Sequence, residues 1–427
     1  MKIMLILYDI ISILLTPFYL ASLIFRNKFS WEVFARFKFI DKKVLEAIDG
    51  RDVIWLHAVS LGEVSTCKSL IKQLSLRYPQ SIILVSTITT TGRTLAQSIS
   101  KDNILSLYMP FDFSFLIGSF IKRIKPRLLV LLETELWPNL LYYSQKLNVP
   151  TIVLNARLSD RSFGKYRMFS WFMRMLTKKI RLICVQSNLD KSRFLELGID
   201  SERVRVTGNM KFDAIEEFDL KQLSQLATFK AKISLKDGDF LIVAGSTHDR
   251  EEGYILDSFM ELKKEFSNLR LLIAPRHLER LDLIEDLLES KNIKSERFSM
   301  IKDSSQEAVI LLDTIGQLRL IYSLADIVFV GGSLVPVGGH NILEPAFFEK
   351  PIVVGPYMHN FREINRLFLS CQALSQVKDA VELKIRFREL ISDKNKLREL
   401  GQAAKSVIAS MQGATSTNFN IIEMNIL

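Results

Sequence analysis

Short, continuous apolar runs alternate with amphipathic stretches along most of the chain. Runs of this kind indicate parallel β-strands whose sheet is covered by helices on both faces. The runs fall into two series, so the pattern predicts an α/β protein with two Rossmann-like, doubly wound domains. The first series predicts strands at 53–59, 82–87, 105–109, 128–132, 151–155 and 182–186, and the second at 240–244, 269–274, 309–312, 327–330 and 352–355.

The strand pattern breaks once, after a further short run at 204–207. A polar segment follows, and the pattern restarts at Phe240. The expected organisation is a hydrophobic anchor at 1–28, an N-terminal domain at 29–214, a linker at 215–236, a C-terminal domain at 237–400 and a C-terminal helix at 401–427. Two doubly wound domains are expected to face a cleft, where ligands bind at the carboxyl ends of the strands.

The N-terminal segment Ile3–Phe25 is apolar apart from the single charged residue Asp9. At 1.5 Å per residue this segment is long enough to cross a bilayer core of about 30 Å. No small-residue cleavage site interrupts it, so we expect a retained anchor, preferably one that spans the membrane. Asp9 and Pro17 favour the alternative, a helix that lies in the membrane interface. The basic flank places the remaining chain on the cytoplasmic side and consists of Arg26, Lys28, Arg36, Lys38, Lys42 and Lys43.

The net charge predicts an acidic partner, and the cysteines predict a reducing compartment. The 427 residues carry a net charge of +10, which indicates binding to nucleic acid, an anionic membrane or a phosphorylated substrate. The stretch 160–179 interleaves basic and aromatic residues, which suits a membrane surface or an acidic lipid, although single-stranded nucleic acid or an ordinary amphipathic helix would also fit. Three distant cysteines argue against both a disulfide framework and a structural zinc site (Cys67, Cys184 and Cys371).

Polar residues follow several predicted strands of the N-terminal half. Glu63 begins a helix after the first strand, where it could act as a base or only complement the helix dipole. Glu133 and Glu135 follow the fourth strand and could form either a paired acidic site or a salt-bridged structural pair. The other candidates for this side of the cleft are Ser60, Gly62, Arg157 and Lys211.

The C-terminal half offers candidates for binding an anion. Small residues after a strand, and two glycine pairs before a helix, would let backbone amides approach a phosphate. No GxGxxG motif is present, so a dinucleotide site is not predicted. All five histidines lie near predicted strand ends without metal-ligand spacing, so we expect no metal site. The candidates are Gly245, Ser246, Thr247, Arg276, His277, Gly338, Gly339, Asn341 and Glu344, and the histidines are His57, His248, His277, His340 and His359.

These residues belong to motifs that occur in one known family. The motifs are HAVSLGE at 57–63, STITTTG at 86–92, ETELWPN at 133–139, NARLS at 155–159, TGNMKFD at 207–213, GSTH at 245–248, APRHLER at 274–280 and GGSLVPVGGHNILEPA at 331–346. In this order they resemble the bacterial 3-deoxy-D-manno-octulosonic acid (Kdo) transferases of lipid A assembly. The resemblance implies a GT-B fold and inverting transfer from CMP-Kdo to the tetraacyl disaccharide bisphosphate precursor of lipid A, without metal or cofactor. It also implies association with the cytoplasmic face of the inner membrane and no nucleic-acid partner.

The resemblance also assigns roles to single residues. Glu63 would be the base, with Ser60 and Gly62 beside it, and Glu133 and Glu135 would serve the acceptor side. Arg157 and Lys211 would contact anionic groups in the cleft. CMP would be bound by Arg276, His277, Gly338, Gly339, Asn341 and Glu344, with Gly245, Ser246 and Thr247 near the donor. The alternatives are a GT-B transferase with another nucleotide sugar, a sugar-nucleotide epimerase, and a nucleic-acid-binding or membrane scaffold protein without catalysis.

Overall fold

The computed structural model describes residues 2–25, 31–37, 40–101, 103–215, 218 and 220–426. The chain forms two compact units, one made of residues 1–214 and 411–427 and the other of residues 215–410. Arg26, Lys28 and Lys38 of the basic flank lie outside the described residues. Each unit is built on one parallel sheet of seven strands, as the apolar runs predict.

The sheet of the first unit has the order β3-β2-β1-β4-β5-β6-β7. Its strands are β1 Val53–His57, β2 Ile82–Thr87, β3 Ile104–Tyr108, β4 Leu128–Leu132, β5 Thr151–Ala156, β6 Leu182–Val185 and β7 Val204–Val206. Its helices are α1 Lys2–Phe25, α2 Lys42–Ile48, α3 Leu61–Arg77, α4 Thr90–Ser98, α5 Ser114–Ile124, α6 Pro138–Lys146, α7 Asp160–Met168, α8 Ser170–Thr177 and α9 Asn188–Glu196, and 3₁₀ turns lie at Trp31–Phe37, Ser201–Arg203 and Met210–Phe212.

Both faces of the central part of this sheet are buried, which explains why its central strands are largely continuous apolar runs. On β1, Val53 and Trp55 pack into the layer that contains α5, α6 and α8. Ile54 and Leu56 point to the opposite face and pack with α3. Successive strand side chains point to opposite faces, so a doubly covered strand needs a continuous apolar run.

The sheet of the second unit has the order β10-β11-β9-β8-β12-β13-β14. Its strands are β8 Phe240–Thr247, β9 Leu269–Pro275, β10 Ser295–Arg297, β11 Val309–Leu311, β12 Ile327–Val330, β13 Ile352–Val354 and β14 Ser375–Gln376. Its helices are α10 Leu220–Lys232, α11 Glu251–Glu265, α12 Leu281–Ser290, α13 Leu318–Leu324, α14 Leu343–Phe347, α15 Arg362–Ser370, α16 Ala380–Ser392 and α17 Lys394–Met411, with 3₁₀ turns at Leu278–Arg280 and His359–Phe361. The core again includes both strands and helices, with α11, α12 and α16 among them.

The chain returns to the first unit at its end. Helix α18, Ala414–Ile426, packs Ile421 and Ile422 into the core beside α3. The carboxylate of Asp213 accepts hydrogen bonds from the backbone N–H groups of Gly413 (2.7 Å) and Thr415 (2.6 Å). The segment expected as one C-terminal helix is therefore divided between the units, because Gly413, at φ +105°, separates α17 from α18.

Two further segments differ in detail from the sequence expectation. The segment 215–236, expected to be a linker, contains α10, whose Phe229 is buried. The basic-aromatic stretch is two helices, since the backbone of Phe169 leaves the helical region (φ −114°, ψ 34°) between α7 and α8. The burial of Phe229 shows that α10 is held by tertiary packing, which the local pattern does not reveal.

Helix α1 presents its polar residues to the protein and its aliphatic residues outward. Asp9 Oδ1 accepts hydrogen bonds from Asn139 Nδ2 (2.7 Å) and from the backbone N–H of Ser114 (3.2 Å). The outward residues remain exposed, with Leu14 at 65% and Phe18 at 73%. Within the described part of the chain, this helix alone is long and apolar enough to cross a membrane by length and composition, with a mean hydropathy of 2.1 over Ile3–Phe25.

Candidate functional site

The strand order of each sheet reverses beside its first strand. The reversal lies between β1 and β4 in the first unit and between β8 and β12 in the second. Doubly wound sheets bind ligands at this reversal, outside the carboxyl ends of the strands. Predicted motif residues lie at the carboxyl ends of these four strands: Ser60 shortly after β1, Glu133 after β4, Gly245 in the end of β8 and Gly331 after β12. The topology thus places candidate residues at a ligand-binding position in each unit.

Glu63 lies in the first turn of α3 and its side chain folds back over the helix N-terminus. Its carboxylate accepts hydrogen bonds from the backbone N–H of Val59 (2.8 Å) and from the hydroxyl of Ser60 (2.9 Å). Ser60 is the N-cap, and its Oγ also accepts the N–H of Glu63. This is a capping arrangement, so the structural alternative for Glu63 is realised in the fold.

The same carboxyl group also has the electrostatic properties of a general base. Burial raises the pKa of Glu63 to about 7, and the nearby charges of Glu133 and Glu135 act in the same direction. A base works best when its pKa is close to the operating pH. A Cβ at Gly62 would meet only Ser60 Oγ, at 3.9 Å, so the space above this turn is open. Capping and proton acceptance are therefore compatible at Glu63.

Glu133 and Glu135 converge near Glu63, although not by strand alternation. The strand ends at Leu132, and Glu133 has a left-handed backbone (φ +54°), which is uncommon for a residue other than glycine. The indole N–H of Trp137 donates to Glu135 at 2.8 Å, and burial raises the pKa of Glu135. Glu133 instead pairs with Lys211, whose Nζ lies 3.4 Å from Oε1. Glu135, with its raised pKa, therefore fits the interpretation as part of an acidic site, whereas Glu133 fits the interpretation as a salt-bridged structural residue.

Asn155 holds Lys211 near Glu133 by binding the backbone of the neighbouring residue, Met210. This role was not predicted from the sequence. Asn155 follows the strand core of β5 with φ +56°, is fully buried, and accepts the backbone N–H of Met210 at 3.0 Å. This bond folds the 3₁₀ turn Met210–Phe212 back toward β5. Arg157 lies two residues later, and its backbone N–H donates to the hydroxyl of Thr134 at 3.3 Å, between the two acidic residues. The sequence signal that could have indicated this turn is an asparagine at the end of an apolar run, because asparagine adopts the left-handed conformation more readily than most residues.

His57 is the last residue of β1, which agrees with the expectation that the histidines lie near strand ends. Its ring is fully buried at the end of β1, and Nδ1 contacts Ser86 Oγ at 2.9 Å. Burial lowers the pKa of His57 to about 3, so the ring is neutral at physiological pH. The edge of Trp137 faces it with ring centroids 6.3 Å apart. His57 therefore supports the floor of the site and does not exchange protons there.

In the second unit, Gly245, Ser246 and Thr247 form the end of β8 and not a separate loop before a helix. A Cβ at Gly245 would lie 2.1 Å from Tyr322 Oη, so packing against a buried tyrosine requires glycine. Ser246 has a left-handed backbone (φ +57°), and the strand register shifts between Gly245 and Thr247. The irregularity redirects the chain at the point where the sheet order reverses.

The glycine loop, residues 331–342, is held in its conformation by hydrogen bonds from its backbone to the side chain of Glu251. The carboxylate of this fully buried residue accepts backbone N–H groups from Gly332 (2.6 Å), Ser333 (3.0 Å) and Leu334 (2.8 Å). It also accepts the N–H of His248 at 2.9 Å. These amides are therefore used by Glu251, and the interpretation that they bind a ligand is not supported. The signal that could have found Glu251 is an acidic residue in the first turn of a predicted helix.

The second glycine pair closes the same loop. The N–H groups of Gly338 and Gly339 both donate to the carbonyl of Gly332, at 3.1 and 2.7 Å. Both glycines have positive φ, and a Cβ at Gly339 would meet Met358 Sδ at 2.2 Å. The loop's own crossing therefore requires glycine at both positions.

Asn341 and Glu344 lie beside this crossing and interact as the spacing predicts. Asn341 Nδ2 donates to Glu344 Oε1 at 3.1 Å, and Asn341 Oδ1 accepts the N–H of Leu343 at 3.1 Å. The following helix, α14, starts at Leu343 and not at His340. Burial raises the pKa of Glu344, which suits a carboxyl group that exchanges hydrogen bonds with hydroxyls.

Three of the five histidines come together above the glycine loop. His248 and His340 have nearly parallel rings with their Nε2 atoms 2.8 Å apart, and the ring of His277 lies 5.5 Å from that of His248. Burial lowers the pKa of His340 to about 4, and the charge of Arg276 contributes. The pair therefore shares one N–H···N hydrogen bond and is neutral at pH 7. The exposed guanidinium of Arg276, directly after β9, is the cation nearest to this group among the predicted donor residues.

Known proteins share both the sequence and the architecture of this chain. Residues 32–214 match the family described as "3-Deoxy-D-manno-octulosonic-acid transferase (kdotransferase)". The chain is 35% identical over 378 residues to the 3-deoxy-D-manno-octulosonic acid transferase of Haemophilus influenzae, covering 87% of this chain and 86% of that protein. It is 33% identical over 364 residues to the enzyme of the same name from Rickettsia felis, covering 83% of this chain and 75% of that protein.

Solved structures support the fold. The UDP-GlcNAc 2-epimerase from Neisseria meningitidis is 17% identical, with a TM-score of 0.54 over 87% of this chain and 99% of that chain. At this identity the likeness concerns architecture alone, and it confirms the GT-B-like class of two Rossmann-like units. The extent of the similarity to the transferases, over most of both chains, settles the family. The chain belongs to the 3-deoxy-D-manno-octulosonic acid transferases and is a glycosyltransferase.

Proposed function

We propose that this enzyme transfers Kdo from CMP-Kdo to the tetraacyl disaccharide bisphosphate precursor of lipid A. The transfer inverts the anomeric carbon of Kdo and takes place at the cytoplasmic face of the inner membrane. The observation that carries the proposal is Glu63, a carboxyl group at the strand-order reversal whose pKa of about 7 suits proton abstraction. The transferred sugar is inferred to be Kdo because the chain belongs to the Kdo transferases.

The proposed reaction moves one proton and exchanges one bond. Glu63 accepts the proton of an acceptor hydroxyl as the oxygen attacks the anomeric carbon of Kdo. The bond between this carbon and the phosphate oxygen breaks, and CMP leaves with the electron pair. Glu133 and Glu135 keep the proton affinity of Glu63 high, while Lys211 compensates the charge of Glu133. Ser60 and Val59 hold the carboxyl group in one orientation.

We assign the donor, CMP-Kdo, to the second unit. There its phosphate could contact a cation, and its ribose could contact uncharged hydrogen-bonding groups. Arg276 is exposed and can balance the charge of the departing phosphate. Asn341 and Glu344 offer donors and acceptors for the ribose hydroxyls of CMP. We propose that Gly338 and Gly339 act by shaping the loop and that Gly245, Ser246, Thr247 and His277 border the donor.

Surface properties of the first unit support a lipid acceptor in a bilayer. The outward face of α1 is aliphatic, and α8 exposes Trp171 at 59% next to Phe169 at 55%. Lys and Arg residues flank these aromatic rings, a combination that suits an anionic interface. A bisphosphorylated acceptor in such a membrane agrees with the net charge of +10. Arg157 is proposed to contact an anionic group of the acceptor.

The contacts of α1 support an interfacial anchor over a spanning one. Leu5 is buried against the first unit, and Asp9 and Thr16 are half-buried along the same face. From Leu5 to Thr16 the helix rises about 16 Å, roughly half of the core of a bilayer. A helix that lies against a water-soluble unit over this length fits the membrane interface, with one side in lipid.

Mass spectrometry of the lipid product tests the proposed donor and acceptor. The purified chain in detergent is incubated with the tetraacyl precursor and, in parallel, with CMP-Kdo or UDP-GlcNAc. We expect the acceptor to gain the mass of a Kdo residue with CMP-Kdo only. A product from the other nucleotide sugar, or conversion of a nucleotide sugar without acceptor, would contradict the proposal and favour another transferase or an epimerase.

A further inference from the structure

A cavity of about 310 Å³ lies between α1 and the rest of the first unit. One wall belongs to α1 and the other to the loops that follow β2, β3 and β4. The wall on α1 is formed by Tyr8, Ser12, Leu15, Thr16 and Tyr19, and the opposite wall includes Ile88, Phe111, Phe113 and Trp137. The cavity therefore exists only because α1 is docked on the unit.

The polar groups around this cavity already have partners. The guanidinium of Arg36 lies 4.0 Å above the ring of Phe111, and its Nε donates to the carbonyl of Met109 at 3.0 Å. The carboxylate of Asp112 accepts the backbone N–H groups of Asn139 (3.0 Å) and Leu140 (2.8 Å), which open α6. The surface left to an occupant is mainly aromatic and aliphatic, so it favours a hydrocarbon over a sugar or a nucleotide.

The cavity borders the candidate base. The backbone N–H of Ile88, in the cavity wall, donates to the carbonyl of Val59 at 3.0 Å. The N–H of Val59 in turn donates to Glu63 at 2.8 Å. On the other side, Trp137 lines the cavity and donates its indole N–H to Glu135. Trp137 thus links the cavity to Glu135, and Ile88 followed by Val59 links it to Glu63.

The mouth of the cavity continues onto the outward face of α1. Leu15 lines the cavity and is 57% exposed, and Leu14 beside it belongs to the outward aliphatic surface. A chain could therefore pass from a bilayer around α1 into the cavity without crossing a polar surface. A cavity of ~150 Å³ accommodates a benzene-sized molecule, so this one accommodates a segment of roughly ten carbon atoms.

From these observations we propose that the cavity binds part of one acyl chain of the lipid acceptor, while the sugar of the same molecule lies at Glu63. The inference rests on the proposed lipid acceptor and adds a site that selects for acylation. A chain of the acceptor is favoured over one of a bulk membrane lipid because the cavity adjoins the carboxylates and not only the outward surface of α1.

Filling the mouth of the cavity tests the proposal. Leu15→Trp places a large ring at the cavity, and Leu14→Trp makes the same change on the neighbouring outward position. KM is measured for the tetraacyl acceptor and for its fully deacylated form. We expect Leu15→Trp to raise KM for the tetraacyl acceptor at least about tenfold, since each excluded methylene is worth roughly a factor of four. KM for the deacylated acceptor should not change, and Leu14→Trp should change neither. A normal KM for the tetraacyl acceptor, or an equal rise for both acceptors, would overturn the proposal.

A second measurement does not depend on transfer. Vesicles are prepared with a phosphatidylcholine that carries a diazirine at the end of one chain, and cross-linked peptides are identified by mass spectrometry. We expect labelling of the segment 109–113 that the tetraacyl acceptor displaces and that Leu15→Trp reduces. If this labelling were observed but no Kdo were transferred, the acyl-chain site would be supported and the proposed function would be wrong. Labelling confined to the outward face of α1, or labelling that the acceptor does not displace, would overturn the acyl-chain site.

Discussion

Replacing Glu251 with glutamine should destabilise the second unit, although the change removes only a charge and one acceptor oxygen. In the structure each carboxylate oxygen accepts two backbone N–H groups, Oε1 those of Ser333 and Leu334 and Oε2 those of Gly332 and His248. The amide NH₂ of glutamine would face two of these donors. A buried donor without a partner costs about 1–3 kcal/mol, so the expected loss is roughly 2–6 kcal/mol.

Differential scanning calorimetry provides the assay. For a unit of this size 1 kcal/mol corresponds to about 2–4 °C, so Glu251→Gln should lower the melting temperature of the second unit by roughly 5 °C or more. We also expect KM for CMP-Kdo to rise, because the glycine loop loses its internal support. Glu261→Gln is the matched control: its exposed side chain pairs with Lys384 at 2.7 Å, which is worth at most about 1 kcal/mol. A Glu251→Gln protein that melts with the wild type would refute the reasoning.

Three other outcomes follow from the same contacts. Glu63 acts as an anion, so a pKa of about 7 predicts that kcat/KM rises about tenfold per pH unit below pH 7 and levels off above it, and a plateau already at pH 5.5 would contradict this. Glu133→Gln removes a charge that raises the pKa of Glu63, so the midpoint of this profile should move to lower pH, and a shift to higher pH would count against the carboxylate cluster. Gly245→Ala should lose about 1–3 kcal/mol of stability in urea denaturation, because its Cβ would overlap Tyr322. Gly253→Ala, inside α11 with open space around it, should gain about 0.4–1 kcal/mol, and equal effects at both glycines would exclude the packing argument.

The apolar pattern predicts the core strands well because both faces of each sheet are covered. In the first sheet the runs at 105–109 and 204–207 coincide with the edge strands β3 and β7, but the pattern fails at the edges of the second sheet, where β10 consists of Ser295, Glu296 and Arg297 and β14 of Ser375 and Gln376. These short edge strands are held by pairing with β11 and β13 and not by burial of apolar side chains. A periodicity argument has no signal to detect there.

The candidate site was predictable where a residue acts through its own side chain after a strand. Glu63 and Glu133 lie at the strand-order reversal that the topology creates. Glu251 and Asn155 were missed because they act on the backbone of distant segments, and such contacts depend on which strands are neighbours. The packing role of the loop glycines was also missed, because the segments that cross beside them are distant in the sequence.

The polar residues of α1 can be interpreted only when the residues that they contact are known. Asp9 counts against a membrane helix in isolation. In the structure it accepts hydrogen bonds from Asn139 and Ser114, and the rest of the polar face lies along the same side. The spacing of these residues was available in the sequence, but their partner was not.

The most direct test of the account is the rate of Kdo transfer by Glu63→Gln under single-turnover conditions. Glutamine can keep one acceptor oxygen for the N–H of Val59 and turn its amide NH₂ toward Ser60 Oγ, whose hydroxyl can accept, so the variant should melt close to the wild type. With folding intact, loss of a general base predicts a fall of at least about a hundredfold in the transfer step. A folded Glu63→Gln enzyme that transfers Kdo within a few-fold of the wild-type rate would contradict the central claim and leave Glu63 with its capping role alone.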